Sequence, residues 1–100
     1  MPSLTLQAEH KLGRDEAVRR LKEKFSIARD TYGGQLGNLD EQWTDGTLSF
    51  GFKVVGMKIS GTVAVEESAV KLDANLPIAA MMFKGAIEQR ARAELAELLA

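Results

Sequence analysis

Residues 43–76 read WTDGTLSFGFKVVGMKISGTVAVEESAVKLDANL, and the alternation within them decides the fold. Leu48, Phe50, Phe52 and Val54 fall on one side, followed by Met57, Ile59, Val63 and Val65, then Val70, Leu72, Ala74 and Leu76. A period of two is what a half-buried strand requires, because successive side chains point to opposite faces of a sheet. Asp45-Gly46 is the strongest turn signal, since a two-residue type I′ hairpin needs positive φ at both central positions. Centring a hairpin there sets Thr44 against Thr47, Trp43 against Leu48 and Glu41 against Phe50. Glu67-Ser68 reads as a second tight turn, placing Val65 by Val70 and Val63 by Leu72. A turn at Val55-Gly56 puts Val54 beside Met57 and Phe52 beside Ile59, although a β-branched residue resists positive φ. All three registers keep one face apolar, the agreement expected of an antiparallel meander.

A helical segment stands on either side. Leu4, Leu6 and Ala8 alternate with polar residues in a first strand ending near His10. Gly13 to Asp15 opens a helix whose apolar stripe is Val18, Leu21, Phe25, Ala28 and Tyr32, with Asp15 and Glu16 in its positively polarised first turn. Gly33-Gly34 ends it, and a polar loop runs from Gln35 to Asn38. Pro77, whose fixed φ suits a first helical position, starts the last helix, with Ala80, Phe83, Ile87, Ala91, Leu95 and Leu98 facing the sheet. The expected fold is α+β in the order β-α-β-β-β-β-α, one domain over residues 1–100. Both helices pack on one face of the antiparallel sheet, and the first strand lies beside the last.

Thirteen basic and fourteen acidic side chains leave a net charge of −1, so no general attraction to nucleic acid or anionic lipid is expected. The absence of cysteine excludes disulfides, thiolate metal sites and cysteine nucleophiles, and fits a reducing cytoplasm. The first ten residues, MPSLTLQAEH, lack the basic start and apolar core of a signal peptide. No stretch approaches the roughly 18 apolar residues of a membrane span. No GxSxG, P-loop, GxGxxG or HExxH pattern is present, so neither an enzyme nor a cofactor is expected.

A few residues stand out. His10 is the sole histidine, which excludes a multi-histidine metal centre within one chain. A proton-transfer role would need a carboxylate partner in a cleft; a strand-end histidine bonded to backbone is the simpler reading. Glu41 falls on the apolar face between Leu39 and Trp43, where a carboxylate would act as an acid, bind a polar ligand group, or sit in water at a frayed strand start. Gly61 and Ala74 face one another beside Phe50, leaving little side-chain volume. With Gly85 in the last helix, this implies close helix–sheet packing or a small apolar ligand cavity.

The segment Leu76 to Ile87, LPIAAMMFKGAI, carries one charge. One helix face against a sheet does not need Ile78, Met81 and Met82 as well as Ala80 and Phe83. Surplus apolar surface of this kind usually meets a partner chain, a ligand or a hydrophobic body, and methionine suits an adaptable contact.

The landmarks also form a pattern. His10-Lys-Leu12, Glu16-Ala17, Leu21, Trp43 with Asp45-Gly46 and Leu48-Ser-Phe50 are joined by Gly61-Thr-Val63, Val65, Val70 and Leu76. The run Phe83-Lys-Gly85-Ala-Ile87-Glu88 completes it. Together they resemble the bacterial family of polyhydroxyalkanoic acid system proteins, the granule-associated region family. His10, Trp43, Lys84 and Glu88 are the more specific polar positions, of unknown role. Gly13 departs from the serine or threonine cap expected before the first helix. The resemblance implies storage-polyester granules in the cytoplasm, and no catalytic residue or cofactor comes with it.

The expectation is a non-enzymatic protein that binds an apolar granule surface, or a granule-associated protein, through Ile78, Met81 and Met82. A homodimer is compatible with the same surface. The alternative is an apolar-ligand carrier resembling a reduced helix-grip domain, its pocket lined by Phe50, Gly61, Ala74 and Phe83.

Overall fold

The alternating block folds into the hairpins that its turns dictate. The computed structural model describes residues 3–32, 37–54 and 56–100. They form β1 (Ser3–Glu9), α1 (Arg14–Tyr32), β2 (Gly37–Thr44), β3 (Thr47–Val54), β4 (Met57–Val65) and β5 (Ala69–Asn75). A 3-10 segment (Ile78–Phe83) and α2 (Lys84–Leu99) follow. Asp45 and Gly46 take φ values of 49° and 76°, the type I′ geometry that an Asp-Gly pair favours. The three hairpin registers are those set by the turns: Trp43 faces Leu48, Phe52 faces Ile59 and Val63 faces Leu72. The sheet is antiparallel throughout, in the order β1-β5-β4-β3-β2, so the first strand lies beside the last as expected. The expected Gly33-Gly34 stop, the loop residues before Gly37 and the Val55 half of the third turn lie outside the described residues.

Alternation turns one sheet face toward the helices, and the core sits in that layer. One cluster gathers Ala17 and Leu21 of α1 with Leu48, Val63, Val65, Val70 and Leu99. A second gathers Leu4, Leu6, Ala74, Leu76 and Ala80. Phe50 and Leu72 pack against both clusters and join them. On the opposite face Thr5, Gln7, Ser49, Thr62, Lys71 and Asp73 are exposed. Burying a leucine such as Leu6 or Leu48 contributes about 1.5–3 kcal/mol, so the helix-side leucines and valines carry most of the fold's stability.

Three local expectations change. Pro77 does not start an α-helix: it remains extended, offers no side-chain cap, and no acidic residue follows in the first turn. The uncapped start closes instead with a 3-10 bond, the Ala80 N–H donating to the Pro77 carbonyl at 2.9 Å. Regular α-helix begins only at Lys84. Gly85 is exposed, and a Cβ there would meet nothing within 4 Å, so no close backbone approach explains it. Gly13 adopts φ 82°, and the missing cap comes from another part of the chain. The Arg14 N–H, at the start of α1, donates to Glu67 Oε2 at 3.4 Å. A carboxylate from the β4–β5 turn thus stands at the positive end of the helix dipole.

Candidate functional site

The 3-10 segment is held by one buried residue. Ala80 is 2% exposed and packs against Leu4, Leu6, Ala74 and Leu76. Around it the segment turns its larger side chains outward: Ile78 is 81% exposed, Met82 84%, Phe83 56% and Met81 42%. With three residues per turn, Ile78 and Met81 stack on one side of the segment. Four large apolar side chains within six residues are therefore exposed to solvent. Phe83 is one of the four. The expected placement of Phe83 on the sheet fails: the side chain is turned to solvent.

His10 is 7% exposed and bonded on both ring nitrogens. Its Nδ1 accepts the Leu12 N–H at 3.1 Å, which places the ring proton on Nε2, and Nε2 donates to the Glu66 carbonyl at 3.1 Å. The His10 backbone N–H donates to the Ser68 carbonyl at 2.9 Å. The imidazole thus ties the β1–α1 connection to the β4–β5 turn, and its contacts are with backbone rather than with a carboxylate.

Glu41 neither frays into water nor stands alone among apolar groups. Its carboxylate pairs with Arg29 of α1 and accepts the Trp43 indole N–H at 2.8 Å. Alternation puts Glu41 and Trp43 on one face of β2, two residues apart, so the indole reaches back along the strand. Lys22 Nζ lies 5.3 Å from the Trp43 ring centroid, and this cation–π contact fixes α1 over β2 a second time. Glu88 pairs with Arg92 one helical turn on, at 3.2 Å. Lys84 is half-buried, and its N–H donates to the Met81 carbonyl where the 3-10 segment ends. No three carboxylate or imidazole side chains gather among the described residues in a way that could hold a metal.

The expected ligand pocket is not assembled as a set. Gly61 faces Ala74 across β4 and β5, and a Cβ on Gly61 would come within 2.2 Å of the Asp73 carbonyl and 2.8 Å of Ala74 Cα. The space beside these small residues is filled by neighbouring backbone, with Phe50 also at the contact. Phe50 does line an apolar cleft of about 280 Å³, but one lying between α1 and α2. Leu21, Phe25 and Ala28 of α1 face Ala91, Leu95 and Leu98 of α2 there, over Val63 and Leu72. Lys24 and Glu94 form an ion pair from helix to helix at this cleft. Lys24, with Arg90 beside it, holds the Glu94 carboxyl below the usual carboxylate range. Sequence reading names neither the cleft nor its ion pair. The signal is present in the apolar stripes of the two helices, but only their relative placement reveals the gap.

A family model described as "Putative polyhydroxyalkanoic acid system protein" matches residues 4–99. The chain belongs to that family. The match runs from β1 to the last residue of α2 and takes in the exposed 3-10 segment. No curated protein matches the chain. The crystal structure of TTHA0849 from Thermus thermophilus is 12% identical over 98% of this chain and 92% of that one. Its TM-score is 0.43, below the level at which a likeness supports an argument. Among the described residues, no helix is long and apolar enough to cross a membrane.

Proposed function

We propose that this member of the polyhydroxyalkanoic acid system family is a non-catalytic adhesive protein. It binds the apolar surface of storage-polyester granules in the cytoplasm through Ile78, Met81 and Met82, with Phe83 extending the contact. The observation that carries this reading is the outward display of those four side chains on a segment anchored only by Ala80. Fully burying one such side chain is worth about 1.5–3 kcal/mol, so a few together suffice for reversible attachment. Methionine, unbranched and polarisable, adapts to an irregular polymer surface better than a β-branched residue. His10 engages both nitrogens in holding the backbone, which agrees with a role outside catalysis.

Co-sedimentation with isolated granules tests the reading. The Met81→Asp/Met82→Asp double variant, folded by circular dichroism, should lose at least about tenfold in bound fraction. Equal binding of wild type and variant would overturn it. Wild-type binding to native granules but not to granules stripped of protein would point instead to a granule-associated protein as the target.

The interhelical cleft favours a second reading, carriage of a small apolar molecule. An apolar fluorescent probe displaced by Ala28→Phe, which fills the cleft, but not by Met82→Asp would select it.

A further inference from the structure

We infer that the open edge of β1 is a self-association surface, and that two copies of this chain join there into one continuous sheet. Two-fold symmetry sets Leu6 opposite its own counterpart. The inference stands apart from the granule reading and is tested without granules.

The hydrogen-bond phase of β1 can be read from its last bond. The His10 N–H donates to the Ser68 carbonyl, in register with the β1–β5 pairing. Residues of that parity, Leu4, Leu6 and Ala8, therefore spend their backbone groups on β5. Ser3, Thr5, Gln7 and Glu9 direct theirs away, to an edge that no described strand covers.

Unpaired edges are normally protected by lysine, proline, a bulge or an inward charge. Ser3–Glu9 has none of these, and its register is regular over all seven residues. At the opposite edge of the sheet, β2 carries Asp40 and Glu41 and a register irregularity between Gly37 and Asp40. With a single charge, Glu9 at its end, the β1 edge is guarded less than the β2 edge.

The sequence of β1 complements itself. An antiparallel pair needs outward-bonding residues to face one another, and full overlap then sets Ser3 against Glu9 and Thr5 against Gln7. That register makes about eight backbone hydrogen bonds, two for each facing pair. It places no like charges opposite one another, and it aligns both apolar faces on the helix side. Beside the edge, a groove of about 490 Å³ is bounded only by β1 and the C-terminal half of α2. Ala96 and Ala100 line it together with Arg92, Leu95 and Leu99, and the two alanines leave room for a symmetry-related α2.

The protein has no cysteine, so introduced thiols report the register directly. Light scattering should give twice the 10.9 kDa chain mass. Thr5→Lys/Gln7→Lys, two exposed positions on the outer face, sets like charges opposite one another and should return the mass to that of one chain with an unchanged circular-dichroism spectrum. Under mild oxidation, a mixture of Thr5→Cys and Gln7→Cys chains should cross-link several-fold more than either alone. A single-chain mass at every concentration would overturn the inference, as would a dimer indifferent to the paired lysines. So would cross-linking as strong in Thr5→Cys alone as in the mixture.

Discussion

Gly61 lies directly across the sheet from Ala74, so close that a methyl group on Gly61 would press into the β5 backbone at Asp73. The nearest atoms are a carbonyl oxygen and a Cα rather than the tip of a flexible side chain, so the strain cannot be relieved by a rotamer change. Gly61→Ala should therefore destabilise the protein by about 2–3 kcal/mol, read as a lower urea midpoint at unchanged slope. A midpoint equal to wild type would mean that the sheet holds free volume at this position.

Ala80 and Met82 sit two residues apart and should respond in opposite ways. Ala80→Asp places an unpaired carboxylate among Leu4, Leu6 and Leu76 and should cost about 3 kcal/mol or more. Met82→Asp changes a side chain already in water and should stay within about 0.5 kcal/mol of wild type. Chemical denaturation of the two variants side by side checks both.

His10→Ala should leave the Leu12 N–H and the Glu66 carbonyl without their partner. Both bonds are partly buried, and a fully buried unsatisfied group costs about 1–3 kcal/mol, so a loss of about 1 kcal/mol is expected. Faster amide exchange at Leu12 than at a distant core amide would locate the damage.

Glu16 supplies a pH dependence. Side-chain hydrogen bonds from Arg19 and then Arg20 lower its carboxyl from 4.5 to about 2. A carboxylate depressed in the folded state stabilises above its unfolded value and loses that stabilisation as the pH falls. The contribution should be present above pH 4.5 and disappear on the way down to about pH 2. Wild type should lose more stability than Glu16→Gln over that window, as measured by urea titration at each pH. The side chain is 35% exposed and its partner Arg19 61%, so solvent screening should keep the difference small and high salt should shrink it further.

The sheet was legible because its information is local. Alternation assigns a face to each residue, and Asp45-Gly46 and Glu67-Ser68 set the registers without any knowledge of the helices. The backbone-bonded role of His10 was legible for the same reason, since a strand end has orphan backbone groups near it. What stayed hidden was the meeting of distant parts. Glu67 reaches the N-terminus of α1, Arg29 finds Glu41, and Lys24 spans to Glu94. None of these pairs has a spacing that sequence could announce. The start of the last helix misled because Pro77 is a good first helical residue only where a cap and an acidic first turn follow. Here neither does, and the segment begins as a 3-10 turn.

Phe50 and Leu72 touch both apolar clusters, and that shared membership governs how the molecule comes apart. Neither half of the interior can loosen without withdrawing support from the other, so heat should melt the strands in a single sharp step. Truncating Phe50 would cut the hinge pin between them, letting the end near Ala80 breathe while the end near Leu48 still holds.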